Sequence, residues 1–256
     1  GGWVADTASV ADTVYVGSYA LVCGSAEVFD YAKVYDNAQV SGNAQVFGSA
    51  KVSGNAWVFG SAKVHGNAWV FGSAKVYNKA KVYGNAKVAN HAQVYGNAQI
   101  YECALVYDYA QVYGNAQVYG HALVFDYTKI YDYAQVYDYA QVYGNAQVYN
   151  NAEVYGNADV YNHAQVYRAK VYGNAQVSGN AQVFGSAKVY GNAEVFDHAK
   201  VCGCAKVYGT AEVYEHALVY DYAQVYGNAE VYGNAGVYNH AQVFGDDKIS
   251  GGIKGE

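Results

Sequence analysis

A six-residue repeat constrains the fold of this chain more than any other feature. The hexad Val-Tyr-Gly-Asn-Ala-Gln, as in residues 142–147, recurs with variations along nearly the whole sequence. Within the stretch Ala-Gln-Val-Tyr, apolar and polar residues alternate with the period of a β-strand, so Val and Ala share one face. The two places left over hold pairs such as Gly-Asn, Gly-Ser, Asp-Tyr or Asn-His. Because Gly, Asn and Asp tolerate positive φ, each hexad reads as a short strand followed by a corner.

Repeated strand-and-corner units predict a parallel β-solenoid with Val and Ala inside. Three hexads per coil would give a three-sided coil of 18 residues, and two would give a flattened coil. A 12-residue repeat is present locally, since Phe47, Phe59 and Phe71 recur at that spacing. We interpret it as local duplication, because a coil of two hexads filled with Ala and Val would be very thin. The sequence therefore predicts about fourteen three-sided coils without loop insertions, stacked about 4.8 Å apart in a rod about 65 Å long.

The repeat departs from its regular form in three places. Residues 166–170 are one residue short of a hexad, which predicts a bulge or tight corner at Arg168. The first coils, residues 1–22, lack most of the later aromatics and are expected to be smoother. Asp247 falls in the inward Ala place, where an unpaired charge is costly. Residues 249–256 are therefore predicted to form a frayed end.

Composition excludes several classes of function. The net charge is -6 and Arg168 is the single arginine, which argues against nucleic acid, anionic membranes and phosphate clamps as targets. No apolar stretch approaches the roughly 20 residues of a membrane helix, and no signal peptide is predicted in these residues. The four cysteines, at positions 23, 103, 202 and 204, share no common spacing, so no disulfide ladder is predicted.

The repeat resembles a known family. Residues 112–117 read Val-Tyr-Gly-Asn-Ala-Gln, and this is similar to the hexapeptide repeat of left-handed parallel β-helices, with an aliphatic residue first and a small residue fifth. The resemblance covers almost the whole chain and implies one left-handed β-helix domain over residues 1–256. More narrowly, residues 1–4 and the Tyr-Gly-Asn-Ala repeats resemble bacterial and phage proteins that consist almost entirely of this repeat. Such proteins are often labelled transferases because of their repeats alone. The chain lacks an initiator Met, so we expect an excised segment or a processed product. No location is fixed, although a cytoplasmic or phage-associated one is favoured.

The same resemblance implies an alternative function. Hexapeptide acyltransferases use acyl-CoA or acyl-carrier donors and place a catalytic His near a subunit interface of a trimer. They usually carry a protruding loop and a C-terminal helical segment, and this sequence has neither. Six of the seven histidines occupy the corner place: His91, His121, His163, His198, His216 and His240. We interpret them as corner substitutes and predict no catalytic residue and no cofactor.

In each of two further pairs, the two residues are 18 positions apart and would stack on a three-sided coil. His198 and His216 could share a metal ion, but their Tyr and Asn neighbours are poor ligands, so no native metal site is predicted. Cys103 and His121 could form a nucleophile and a base. No acid orients that histidine and no cleft is evident, so catalysis is not predicted there either.

Tyrosine is the strongest surface signal. It fills the outward place after Val in most hexads between Tyr95 and Tyr167 and again between Tyr208 and Tyr238, which predicts stacked ladders on all three faces. Packing between adjacent strands accounts for such ladders without any ligand. A contact platform for glycans, proteins or neighbouring copies is the functional interpretation. The predicted binding surface comprises Tyr109, Tyr127, Tyr131, Tyr133, Tyr137, Tyr139, Trp57 and Trp69.

These patterns predict a non-enzymatic structural, scaffold or adhesive rod. Its partner is expected to be a second copy of the chain, end to end or side by side, or another protein or a glycan. The acyltransferase is the alternative, and a glycan-binding surface is the second alternative. Nucleic acid and membrane insertion are not expected.

Overall fold

The computed structural model of the chain describes residues 1–255, apart from the side chains of Ile253 and Lys254. The described residues form parallel β-strands of two to four residues, joined by turns and without any helix. The fold is an all-β parallel β-solenoid of about fourteen coils with three strands each. The three-sided coil predicted from the hexads is thus confirmed. The strands are short because only two residues of most hexads lie between consecutive corners.

The chain divides into two compact units, residues 1–132 and 133–256, and each contains three parallel sheets. In unit 1, sheet A contains β1 (Trp3–Val4), β4 (Leu21–Val22), β7 (Gln39–Val40), β10 (Trp57–Val58), β13 (Lys75–Val76), β16 (Gln93–Val94), β19 (Gln111–Val112) and β22 (Lys129–Ile130). Sheet B contains β2 (Ser9–Val10), β5 (Glu27–Val28), β8 (Gln45–Val46), β11 (Lys63–Val64), β14 (Lys81–Val82), β17 (Gln99–Ile100) and β20 (Gln117–Val118). Sheet C contains β3 (Tyr15–Val16), β6 (Lys33–Val34), β9 (Lys51–Val52), β12 (Trp69–Val70), β15 (Lys87–Val88), β18 (Leu105–Val106) and β21 (Leu123–Val124).

Unit 2 repeats this arrangement. Its sheet A contains β25 (Gln147–Tyr149), β28 (Gln165–Tyr167), β31 (Gln182–Phe184), β34 (Lys200–Val201), β37 (Leu218–Val219), β40 (Gly236–Tyr238) and β43 (Ile253–Gly255). Its sheet B contains β23 (Gln135–Val136), β26 (Glu153–Val154), β29 (Lys170–Gly173), β32 (Lys188–Gly191), β35 (Lys206–Val207), β38 (Gln224–Val225) and β41 (Gln242–Val243). Its sheet C contains β24 (Gln141–Val142), β27 (Asp159–Val160), β30 (Gln176–Val177), β33 (Glu194–Val195), β36 (Glu212–Val213), β39 (Glu230–Val231) and β42 (Lys248–Ile249).

The register within each sheet aligns equivalent residues of successive coils. In unit 1, Val58 of β10 pairs with Val76 of β13, one coil further along. The inward Val and Ala side chains are fully buried from the second coil onward. Backbone bonds join each coil to the next, as where the Gln45 N–H donates to the Ala62 carbonyl at 2.9 Å. The left hand of the helix stays a prediction from the family resemblance.

Corners are made by residues in the left-handed region of φ. Gly42 has a φ of +69°, and a Cβ placed on it would lie 3.0 Å from the backbone nitrogen of Gly60 in the next coil. Asp36 occupies an equivalent corner with a φ of 58°. Its carboxylate accepts a hydrogen bond from the N–H of Gly54 at 3.1 Å. An acidic corner residue therefore also binds the corner of the following coil.

Two of the irregular places that the sequence predicts, at Arg168 and Asp247, are found in the structure. Arg168 forms a tight corner with a φ of 56°, and the coil that contains it is one residue shorter, so Val154 pairs with Val171. Asp247 is exposed, in keeping with the cost of burying its charge. The sequence predicts a frayed end over residues 249–256, whereas β43, which lies within that range, pairs with β40. The single domain predicted over residues 1–256 stays a prediction.

Candidate interaction surface

The residue directly after the inward Val or Ile of each hexad, here called the ladder place, carries most of the aromatic rings. Rings in successive coils stack face to face. In unit 1 the ladder that follows sheet B is unbroken over six coils, with neighbouring centroids 4.6–5.0 Å apart and planes within 6° of parallel. Its members are Phe29, Phe47, His65, Tyr83, Tyr101 and Tyr119. The ladder that follows sheet A comprises Phe59, Tyr77, Tyr95, Tyr113 and Tyr131.

Ladder hydroxyls bond to the next coil. The Tyr101 hydroxyl donates to Gln117 Oε1 at 3.1 Å, and the Tyr83 hydroxyl donates to Gln99 Oε1 at 3.2 Å. The acceptor is the outward residue of the adjacent strand, 16 positions later in regular coils and 15 positions later across the shortened coil, where Tyr161 donates to Gln176. This bond fixes the tilt of each ring and explains why Gln is so frequent before Val.

Ladder packing also changes the acidity of the phenols. Burial raises the pKa of Tyr101 to about 12, and the neighbouring Tyr119 adds to the effect. Burial likewise raises the pKa of Tyr95 and that of Tyr113. The raised pKa values of these three phenols therefore matter at alkaline pH, where they keep their protons longer than an exposed tyrosine does.

Unit 2 carries one long ladder and two interrupted ones. The ladder that follows its sheet B comprises Tyr137, Tyr155, Tyr172, Tyr190, Tyr208, Tyr226 and Phe244. In the ladder that follows sheet A, Cys202 stands between Phe184 and Tyr220. The ladder that follows sheet C is interrupted by Ser178, whose side chain is nearly buried.

The two tryptophans predicted in the binding surface have a structural role that the sequence did not indicate. Trp57 Nε1 donates to Ser41 Oγ at 3.1 Å, and Trp69 Nε1 donates to Ser53 Oγ at 2.9 Å. Each serine occupies a ladder place that lacks a ring, and each indole comes 16 residues later. The indole therefore covers the gap left by the serine, and Trp57 remains partly exposed.

The corner tyrosines of the predicted surface are exposed. In unit 1, Tyr109 is 48 % and Tyr127 is 60 % accessible. His91, Tyr109 and Tyr127 stack in successive coils with centroid distances of 4.8 and 4.9 Å, and we call these three residues the corner ladder. In unit 2, Tyr133 and Tyr139 are exposed at corners. Tyr131 of unit 1 and Tyr137 of unit 2 lie in ladder places instead and are half-buried.

The histidine and cysteine pairs are placed as their spacing predicts. The rings of His198 and His216 stack with centroids 5.0 Å apart, and Asn180 Nδ2 lies 3.4 Å from His198 Nε2. Within residues 1–255, no group of three or more His, Cys, Asp or Glu side chains is arranged to hold a metal ion. The Cys103 N–H donates to the carbonyl of Gly120, the residue before His121.

The comparisons agree with a β-solenoid. A family model described as the YdcK beta solenoid repeat matches residues 38–54, 175–191 and 223–239. Each matched segment covers three hexads, which is about one coil. No curated protein matches the chain. Membership of the hexapeptide-repeat family and the transferase activity that it implies both stay predictions. Among the described residues, none form a helix long and apolar enough to cross a membrane.

Proposed function

We propose that the chain is a non-enzymatic structural or adhesive β-solenoid that makes contacts through its exposed ring ladders. The observation that supports this most is the corner ladder of unit 1. Three rings lie side by side at the surface, and their planes are within 9° of parallel. Stacked, exposed rings of this kind are an apolar patch edged by hydroxyls, which is a common property of protein interaction surfaces.

The corner ladder is pre-organised for binding. The His91 N–H donates to the Asp108 carbonyl at 2.8 Å, and the Tyr109 N–H donates to the Asp126 carbonyl at 3.0 Å. Rings anchored on a hydrogen-bonded backbone and stacked on each other lose little conformational entropy when a partner docks. Binding through these rings therefore costs less conformational entropy than binding through mobile surface side chains. More of the contact energy then contributes to the affinity.

A second copy of the chain is the partner that fits this surface best. The spacing of the rings equals the spacing of strands in a sheet, about 4.8 Å. A second solenoid carries rings at the same interval, so contacts repeat in register along the interface. The net charge of -6 opposes association at low salt, and we expect physiological salt to relieve that repulsion.

Sedimentation velocity over a range of protein concentrations tests the proposal. The double substitution Tyr109→Ser and Tyr127→Ser is expected to weaken association by about tenfold or more, because interfacial tyrosines are frequent hot spots. Ser73 occupies the same corner one coil before His91, so serine is compatible with the fold there. Tyr31→Ser is the matched control, since Tyr31 is an exposed corner tyrosine outside the corner ladder.

Two results would contradict the proposal. One is a strictly monomeric chain that also binds no protein or glycan. The other is association that Tyr31→Ser weakens as much as the corner-ladder variant does. Glycan binding that depends on Tyr109 and Tyr127 would instead favour the second alternative, in which the same rings stack on sugar faces. The acyltransferase alternative stays a prediction without a supporting contact.

A further inference from the structure

One ladder of unit 1 lacks a ring and has nothing of equal size in its place. The ladder places that follow sheet C include Phe71, Ala89, Tyr107 and Phe125 in successive coils. Tyr107 and Phe125 stack normally, 5.0 Å apart and 4° from parallel. At Ala89 the side chain is a single methyl group, so Phe71 and Tyr107 are separated by two coil steps rather than one. The missing ring leaves a gap one ring thick.

At the gap lies a groove of about 220 Å³ that is partly open to solvent, and Phe71, Ala89, Leu105 and Tyr107 contribute to its lining. We call it the Ala89 slot. Lys87 and Asn90 also line it. An apolar cavity of about 150 Å³ is enough to hold benzene. The slot therefore has the size and the apolar lining that one aromatic ring needs.

The Ala89 slot has a smaller covering residue than the ring-less place at Ser53, and Ala89, at its floor, is 7 % accessible. At Ser53, another ladder place of the same sheet without a ring, the residue 16 positions later is Trp69, and its indole covers the serine. The residue 16 positions after Ala89 is Leu105, which is half-buried and much smaller than an indole. These two ring-less places thus differ in their covering residue, which is aromatic at Ser53 and aliphatic at Ala89.

We propose that the Ala89 slot binds a small, apolar aromatic molecule whose single ring inserts between Phe71 and Tyr107. The inserted ring would lie one coil step from each neighbour, which is the stacking distance found throughout the unbroken ladder. An unsubstituted phenyl ring suits the slot better than a phenol. The glutamine that accepts a ladder hydroxyl elsewhere, such as Gln117 for Tyr101, is replaced here by Leu105.

This site does not depend on the corner ladder or on self-association. A chain that never associates would still present the slot, and a chain that associates need not bind a small molecule. The two proposals therefore stand or fall on different measurements.

Fluorine NMR with fluorobenzene as the probe tests the slot on the full chain. Ring currents of Phe71 and Tyr107 are expected to shift the bound fluorine signal upfield. Ala89→Tyr restores the residue type of the ladder and is expected to abolish the shift. His65→Tyr is the control, because it places a tyrosine in an unbroken ladder and leaves the slot unchanged.

Ligand preference gives a second readout that does not require filling the slot. Fluorobenzene is expected to bind about tenfold more tightly than para-fluorophenol, since a buried hydroxyl without an acceptor costs about 1–3 kcal/mol. Leu105→Gln restores the acceptor and is expected to reverse that order. The proposal is overturned if fluorobenzene does not bind the unmodified chain, if binding survives Ala89→Tyr, or if His65→Tyr abolishes binding equally.

Discussion

At the scale of single residues, the corner decides which side chains a coil tolerates. Most corner residues with positive φ are Gly, Asn or Asp, because larger L-residues are strained in that region. The acidic corners do more than tolerate the conformation. Asp30 accepts the Gly48 N–H at 2.9 Å, and Glu102 accepts the Gly120 N–H at 2.9 Å. Such a corner contributes an inter-coil hydrogen bond that a glycine corner cannot make.

Substitution of Asp36 separates these two contributions. Asp36→Ala removes the bond to Gly54 and leaves a Cβ-bearing residue at positive φ, so the free energy of unfolding is expected to fall by about 1–3 kcal/mol. Asp36→Gly removes the bond but relaxes the backbone, so a loss of about 1 kcal/mol or less is expected. Urea unfolding of both variants gives the comparison.

Amide hydrogen exchange supplies the local control for the same pair. The Gly54 amide is expected to exchange faster in both variants, whereas the Gly48 amide, bonded to Asp30, keeps its protection. Equal destabilisation by Ala and Gly would mean that corner conformation contributes nothing at this position.

At the scale of the element, the ladder combines ring stacking with a hydroxyl bond, and Tyr101 allows the two to be separated. Tyr101→Phe keeps the stacking on Tyr83 and Tyr119 and loses the bond to Gln117, so a cost of about 0.5–1 kcal/mol is expected. Tyr101→Ala also removes two ring contacts, and a cost of about 1–3 kcal/mol is expected. Thermal unfolding of the two variants beside the parent chain measures both terms. If Phe and Ala cost the same, stacking does not stabilise the ladder.

Much of this element was predictable from sequence, and the part that was not has a geometric cause. Stacking 18 residues apart follows from three hexads per coil, so the pairing of His198 with His216 was expected. The bond from Tyr101 to Gln117 and the cover of Ser53 by Trp69 both span 16 residues. That spacing is one coil less two residues and is no multiple of the hexad. It depends on how far a long side chain leans across the sheet, which periodicity does not encode.

At the scale of the whole molecule, near-identical coils make stability a sum of similar terms. In a solenoid each coil contacts only its neighbours, so intrinsic and nearest-neighbour contributions add along the chain. A contribution to the free energy of unfolding that every ladder makes therefore adds up along the chain. The raised pKa of the ladder phenols is such a property, since burial is its first cause in both units, as at Tyr101 and Tyr214.

Alkaline pH should consequently destabilise the whole molecule. Burial raises the pKa of Tyr101 and that of Tyr214 to about 12, from an ordinary value of 10.0. Above pH 10 the unfolded chain loses these protons while the folded chain keeps them, so folding is progressively disfavoured as pH rises. The stabilisation is complete below about pH 10 and is lost between about pH 10 and 12. Urea unfolding at a series of pH values, with tyrosinate absorbance recorded on the folded protein, measures both sides of this linkage.

A variant can show whether tyrosine or lysine ionisation causes the loss of stability at alkaline pH. The hydrogen bond to Glu153 raises the pKa of Lys170, so its contribution also disappears at high pH. The double variant Tyr101→Phe and Tyr214→Phe removes two titrating phenols and leaves every lysine in place. Its stability is expected to fall less steeply than that of the parent chain over the same pH interval. An unchanged slope would place the alkaline sensitivity outside Tyr101 and Tyr214.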